Sequence, residues 1–361
     1  MKLAKRLSGK AKSVCALCAA IFLTQSAAIF AQQKITLKIA SVAPTRSPWD
    51  VEQRKLAQTW AQVTDGTVNV QFFDAAVQGG EGGVIQKMRS VRPGQKPPLD
   101  GAVFTNIGVY DLAPESKIFT LCVPFMFRNQ EEVTLIFNAF NSEMKKAVQD
   151  KGYVLLGWLN MGWAYFLTKE RATTIEKLKS LRTVLGGLDA PELSAAFRDV
   201  GFRVENMAAD KVSQSAKTAG GIESFFAVPL LAYAMRMFES LPYLVKEPLC
   251  PIFAALVINE KTWNEIPANY RTKMLAEVHK LELQFVGIQQ ETDKKYIDQM
   301  QKEGGQIVTL PAAERDRWER VFAQDAERVA GPKGSPIDKD FYTRVQTMLN
   351  EYRRTHDSKR M

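Results

Sequence analysis

The sequence predicts an α/β fold divided between two lobes, on three observations. Short alternating apolar strands recur between helical stretches. The chain of 361 residues is long enough to divide its core. One apolar stripe runs from Ile266 to Met300 with only Pro267 and Gly287 as interruptions.

Ile35, Leu37 and Ile39 alternate in ITLKIAS, and Val68, Val70 and Phe72 alternate in VNVQFFD. Between them, Leu56, Trp60 and Val63 fall at helical spacing and Asp65-Gly66 stops the helix, which gives a βαβ opening. Gly79-Gly80 and Gly82-Gly83 punctuate the next loop, and Val84, Ile85 and Met88 begin a second helix. RPGQKPP (92–98) is a polar surface excursion before a third strand, DGAVF. YVLLGW (153–158), AYFLTK (164–169) and RTVLGG (182–187) read as further strands, with PELSAAFRDVGF as the helix after the last. Strands alternating with helices predict largely parallel sheets. Ile266, Tyr270, Met274, Val278, Leu281, Phe285, Ile288, Tyr296 and Met300 share one face of a helix about 34 residues and roughly 50 Å long, which exceeds one lobe and lies across two. Pro311 opens another helix, GPKGSP (331–336) breaks it, and DFYTRVQTMLNEYR closes the fold before a charged tail at 351–361.

Hydrophobic residues make up 46% of the chain and charged residues 24%, a globular balance that excludes a disordered, collagen-like or disulfide-stapled chain. Of the cations behind the net charge of +9, five (Lys2, Lys5, Arg6, Lys10 and Lys12) lie within residues 1–31. No basic cluster interleaved with aromatics follows, so a nucleic-acid role is excluded. Residues 1–31 read as a cleaved secretory signal: a basic start, an apolar run from Val14 to Thr24, and small residues through Ala28 and Ala31. That run is shorter than the roughly 20 residues of a spanning helix, and a periplasmic destination follows. Val14 and Leu17, which precede Cys15 and Cys18, are not the small residues expected before a lipidated Cys. Of the remaining cysteines, Cys122 and Cys250, the reading favoured is two buried apolar thiols over a disulfide.

No catalytic constellation emerges. His279 lies in the long helix and His356 in the terminal tail, away from any nucleophile pattern, and no His/Cys set has zinc spacing. GGEGG is followed by no Lys-Ser/Thr and reads as a turn into a helix, while acids such as Asp74 and Glu81 read as solvated loop groups. The chain is read as non-enzymatic, with no cofactor and no metal.

ITLKIASVAPTRSPW, VTDG, FFDAAVQGG, DGAVFTN, VPFMF, GWLNMGWAYFLTK, IEKLKSLRTVLG and VINEKTWNEIP occur in this order between an exported start and the long helix. Over about residues 34–330 the chain resembles the solute-binding subunit of TRAP transporters, DctP-type. The resemblance implies a two-lobed, type II-like periplasmic binding protein with a ligand cleft between lobes and a helix spanning both. Lobe I would be 32–158 plus about 246–286, and lobe II 159–245 plus about 287–350. The implied partners are TRAP membrane permease subunits and, in the subset resembled most, a TPR-repeat protein. Such proteins close by hinge motion around the ligand.

The sequence departs from this pattern where a carboxylate is held. A guanidinium meets both carboxylate oxygens at once, and the resemblance implies one on the strand filled here by LKSLRTVLG. Val184 aligns with that Arg, and Arg182 lies two residues earlier on the same face. A second Arg position aligns with Ala164, and a polar Asn position with Val228, beside Phe225 and Phe226. Three apolar residues in polar places favour a hydrophobic or lipid-like ligand, with Arg182 as the clamp in an organic-acid alternative. A permease-independent lipid-binding or sensor protein is a further alternative on the same fold.

Further candidate walls are Trp49 after the first strand, and Phe104 and Thr105 at the end of the third, where open α/β sheets place ligand contacts. Trp163 and Tyr165 alternate with Ala164 and so point to its opposite side. Met207 completes the set. Each has an ordinary packing reading: Phe104, Phe225, Phe226 and Val228 as core, Trp49 as a staple on the first helix, Met207 as a gap filler.

Overall fold

The computed structural model describes residues 34–90, 95–186, 191–207, 209–331 and 335–357; the signal read at 1–31 lies outside them. β1 (Ile35–Ser41), α1 (Pro48–Val63) and β2 (Val68–Asp74) form the βαβ opening, with β1 and β2 parallel in register from Ile35↔Val68 to Ser41↔Asp74. Ser47 caps α1 by accepting from the Asp50 N–H, and Pro48 sits at its first position, where a missing N–H is harmless. α2 (Gly80–Arg89) follows Gly79, whose φ of +97° only glycine adopts freely. β3 (Gly101–Thr105) joins β1 in parallel, and α3 (Asn106–Leu112) and α4 (Gln130–Gln149) lead to β4 (Tyr153–Thr168).

YVLLGW and AYFLTK are thus one strand of 16 residues, not two. The strand stays continuous through two bulges, between Leu155 and Gly157 and between Asn160 and Gly162. Each bulge adds a residue to one side of the ladder and reverses which parity faces which core. Tyr153 and Leu155, then Trp158, then Trp163, Tyr165 and Leu167 all enter one apolar cluster. Leu156 and Met161 enter a second, and Ala164 and Phe166 a third.

The chain continues through α5 (Ile175–Ser180), β5 (Arg182–Leu185), α6 (Pro191–Asp199), β6 (Arg203–Val204), α7 (Ala209–Lys217), β7 (Ser224–Ala227) and α8 (Pro229–Ala234). β8 (Tyr243–Val245), β9 (Cys250–Asn259), α9 (Glu260–Glu265), α10 (Ala268–Lys302), β10 (Gln306–Val308), α11 (Ala312–Val329) and α12 (Lys339–Asp357) complete it. The strand order is β2-β1-β3-β9-β4-β7-β5-β6, with β8 on the end of β4 and β10 on β8. Two parallel triplets, β2-β1-β3 and β7-β5-β6, are therefore joined through β9 and β4, which run antiparallel to each other and to their outer neighbours. The expected parallel pairing holds inside each triplet and gives way at the crossing strands, which traverse the sheet in opposite senses.

α10 is 35 residues long, and its buried Tyr270, Met274, Val278, Leu281, Phe285 and Met300 are the stripe read from the sequence. Its first half packs on α1, where Trp60 Nε1 donates to the Met274 carbonyl at 3.1 Å. Its second half packs on α8, with the Tyr296 and Tyr233 rings 5.2 Å apart. α12 packs on α4: Arg344 donates to Glu143 at 2.8 Å and Arg353 to the buried Glu132 at 2.7 Å. Residues 339–350, grouped above with 159–245, thus lie against a helix of 32–158, and the helix runs on through Asp357 into the segment read as a tail.

A Cβ added to Gly157 would lie 2.5 Å from Val278 Cγ1 and 2.8 Å from Glu282 Oε1. Gly157→Ala is expected to separate β4 from α10 and destabilise the protein by about 1–3 kcal/mol, read as a lowered midpoint in urea denaturation.

Candidate functional site

Open α/β sheets bind ligands outside the carboxyl ends of their parallel strands, which here are the ends of β1, β3, β5 and β7. At the end of β3, the Thr105 hydroxyl accepts from the Ile107 N–H and caps α3. The same residue donates from its backbone N–H (2.6 Å) and its hydroxyl (2.8 Å) to Glu81, which also accepts from the Gly108 N–H at 3.2 Å. Glu81 as a residue is only half-buried, yet its carboxyl group is turned inward on these donors. Burial pushes that carboxyl up to about 7; the three hydrogen bonds oppose the shift and the charge of Asp111 adds to it. A Cβ at Gly108 would stand 2.4 Å from both Glu81 Oε1 and the Phe104 ring, so the glycine makes the seat possible. Glu81 is therefore not the solvated loop acid read from the sequence. Its only sequence signal is an acid between glycine pairs at the start of a helix.

On the other triplet, Val184 pairs with Phe225 in the β5–β7 register, and Tyr165 pairs with Ala227 across β4–β7. Phe104, Trp163, Tyr165, Val184 and Phe225 belong to one buried cluster, with Met207 packed against it, and Thr105 adjoins Phe104. Ala164 and Phe226 face the opposite side of the sheet, among Phe166, Phe197, Phe202 and Trp318, where the Phe166 and Phe226 rings lie 4.8 Å apart. Trp49 and Val228 fall in the second cluster. Trp49 lines a small apolar pocket, partly open to solvent, together with Val103, Met161, Leu281 and Phe285. Six of the eleven candidates thus belong to this extended core cluster, Thr105 adjoins one of them, and four lie in other clusters.

Arg182 opens β5 at its amino end, where its guanidinium meets Glu223 at 3.3 Å and its N–H donates to the same carboxylate at 3.1 Å. These contacts hold Glu223 below the usual carboxylate range. A second inward carboxylate arrives from α10: Asp293 accepts from the Trp163 N–H at 2.9 Å and from Gln289 Nε2 at 2.6 Å, and burial pushes it up to about 7. Burial and the charges of Asp293 and Glu247 raise the Tyr165 phenol. Cys122 and Cys250 are free thiols, and burial pushes Cys122 up to about 12. His279 is exposed on α10 beside Glu282. Among the described residues no group of three or more His, Cys, Asp or Glu is arranged to hold a metal ion, and no helix is long and apolar enough to cross a membrane.

The family of bacterial extracellular solute-binding proteins known as family 7, DctP, matches residues 39–331. The chain belongs to this family. Solved structures similar to it are TRAP periplasmic solute-binding proteins. One from Ochrobactrum anthropi has its C-terminus bound in the ligand-binding pocket; it is 16% identical, with a TM-score of 0.75 over 89% of this chain and 97% of that one. One from Sulfurospirillum deleyianum, with bound succinate, is 16% identical, with a TM-score of 0.73 over 88% of this chain and 99% of that one. One from Desulfovibrio desulfuricans, with bound sn-glycerol-3-phosphate, is 15% identical, with a TM-score of 0.74 over 88% and 97%. At such identities the likeness is one of fold. No curated protein matches the chain. As a DctP-family protein with this two-lobed fold, the chain fits the resemblance read from its motifs.

Because Glu81 holds its proton to about pH 7 when folded and to its ordinary 4.5 when unfolded, the folded state binds more protons in between. Stability therefore falls as pH rises through that window. Glu81→Gln keeps an acceptor for the Thr105 and Gly108 N–H groups without the charge. It is expected to gain about 2 kcal/mol over the parent at pH 8 and to match it near pH 4.5, as read by denaturation midpoints across pH.

Proposed function

We propose that this DctP-family protein is the periplasmic solute-binding subunit of a TRAP-type transporter. It takes a hydrophobic or lipid-like solute between its lobes and delivers it to membrane permease subunits, where a TPR-repeat protein gathers such subunits. The observation that carries the choice of solute is the joint burial of Phe104, Trp163, Tyr165, Val184 and Phe225 in one cluster drawn from both parallel triplets and the strand crossing between them. An apolar solute taken among such side chains would gain about 0.8 kcal/mol per buried methylene.

Electrostatics support the same reading. The inward carboxylates, Glu81 on Thr105 and Asp293 on Trp163, border this cluster and disfavour a further negative charge. The organic-acid alternative draws on solved neighbours whose bound molecules are succinate and sn-glycerol-3-phosphate. In this chain it would call on Arg182, which meets Glu223 through Nη2 at 3.3 Å, keeps a buried Nε without a partner, and stands at the amino end of β5. Recruiting it would leave Glu223 without its partner, a loss that would offset the gain.

The test is native mass spectrometry of the purified mature protein, followed by organic extraction and identification of what it carries. A hydrophobic molecule is expected, and Val184→Arg is expected to lower its occupancy by more than about tenfold by placing a charge in apolar surroundings. A small carboxylate retained by the parent protein and lost in Arg182→Ala would overturn the hydrophobic assignment.

A further inference from the structure

The two bulges of β4 share a construction. In each, a glycine precedes a tryptophan (Gly157-Trp158 and Gly162-Trp163), and the tryptophan N–H donates to a carboxylate of α10. Trp158 N–H meets Glu282 Oε1 at 2.8 Å, and Trp163 N–H meets Asp293 Oδ2 at 2.9 Å. In each, an added Cβ on the glycine would meet the carboxylate, 2.8 Å from Glu282 Oε1 at Gly157, where Val278 Cγ1 is nearer still at 2.5 Å, and 2.5 Å from Asp293 Oδ1 at Gly162. Gly162 also has φ +130°.

Eleven residues separate Glu282 from Asp293, three turns of helix, so the two carboxylates stand on one side of α10 about 16 Å apart along its axis at 1.5 Å per residue. Trp158 and Trp163 pair with Ala255 and Pro251, four residues apart on β9 because the second bulge takes up one residue of β4, which is about 13 Å at 3.3 Å per residue. The side chains of Glu282 and Asp293 span the difference and reach both amides.

We propose that Glu282 and Asp293 form a two-point clamp that fixes the register of β4, with Asp293 as the positioning residue that turns Trp163 and Tyr165 toward the candidate ligand site. If the second bulge were lost, the alternation beyond it would reverse, taking Trp163, Tyr165 and Leu167 out of the cluster they share with Val184 and Phe225. That these side chains meet solute rests on the reading under Proposed function; the clamp itself does not.

The second point is also adjustable. Asp293 is buried, its Oδ1 and the neighbouring Gln289 Oε1 lack partners, and burial holds its proton to about pH 7. The groups facing it are Gln289 on α10 and Tyr165 on β4, with Glu247 acting on the same Tyr165; α8 brings Tyr233, which is bonded to Glu303. Above about pH 7 the Trp163 N–H therefore meets a charged acceptor, and below it a neutral and weaker one.

The test uses the mature protein carrying Glu81→Gln, so that the other carboxyl titrating in this range is silent, with Nile red as a neutral apolar probe. With Asp293 present, Nile red affinity is expected to fall about three- to tenfold as pH drops from about 8.5 to 5.5, the range of one charge-assisted against one neutral hydrogen bond. With Asp293→Asn it should stay flat at the low-pH level. Hydrogen exchange of the Trp163 amide, read by NMR and corrected for intrinsic rate, should lose protection on the same schedule. An Asp293→Asn protein that keeps both the pH dependence and the Trp163 protection overturns the clamp. If that variant does not fold, the Trp163 protection of the Asp293 protein across pH decides: a change near pH 7 supports the clamp, and a flat profile overturns it. Absence of Nile red binding at every pH counts against the hydrophobic assignment, while the amide protection still decides the clamp.

Discussion

A strand of 16 residues that must serve two lobes is the constraint on which the rest of this structure turns. Among the described residues β4 and β9 are the only strands that join the two parallel triplets, so whatever fixes their faces fixes which side chains each lobe presents. Regular alternation over that length would carry one fixed parity from end to end. The two bulges let Tyr153 and Leu155, Trp158, and Trp163 and Tyr165 share a core despite their mixed parity. A bulge leaves a backbone N–H without a ladder partner, and a buried orphan of that kind costs as much as a lost hydrogen bond. Glu282 and Asp293 satisfy both N–H groups from a neighbouring helix. Lys145, which donates to the Leu156 carbonyl at 3.2 Å beside the first bulge, is held below its ordinary pKa by burial, with Glu282 acting in the opposite direction.

This arrangement explains why α10 is so long. A shorter helix could pack on α1 through Trp60 and Met274 or on α8 through Tyr233 and Tyr296, but would not reach both while also supplying acceptors three turns apart. Its buried face is accordingly not purely apolar: Gln289, Thr292 and Asp293 interrupt the stripe between Phe285 and Met300, where β4 requires a polar partner. α12 performs a related closure by tying its arginines to Glu132 and Glu143 of α4.

Local patterns were legible in the sequence and long-range polar contacts were not. The βαβ opening, the stripe of α10 and the order of motifs that marks a DctP-family protein all rest on spacings of a few residues, which hydrophobic period and turn chemistry encode directly. Alternation gives two strands, 153–158 and 164–169, where the structure has one; the bulge that joins them at Gly162 is met by a carboxylate 130 residues away. Glu81 is hidden for the same reason, since nothing within GGEGG reveals that Thr105 and Gly108 receive it. Of the candidate walls, alternation placed Trp163 and Tyr165 opposite Ala164, as found. It could not separate Phe225 from Phe226, because which face of β7 meets the shared cluster depends on the β5 and β4 registers.

The charge pattern around that cluster bears on the solute independently of its apolar walls. A site for anions places donors or cations at strand ends, where an incoming oxygen can take them. Here the donors at the end of β3 already serve Glu81, and the bulge amide at Trp163 already serves Asp293. Burial keeps both carboxyls protonated up to about pH 7, so each is neutral or nearly so when the surrounding surface is dry and becomes negative only against the cost of desolvation. An anionic solute brought beside them would raise that cost further. In the proposed reading, the protein's own carboxyl groups therefore occupy the polar positions of the site, and the solute contributes apolar contact.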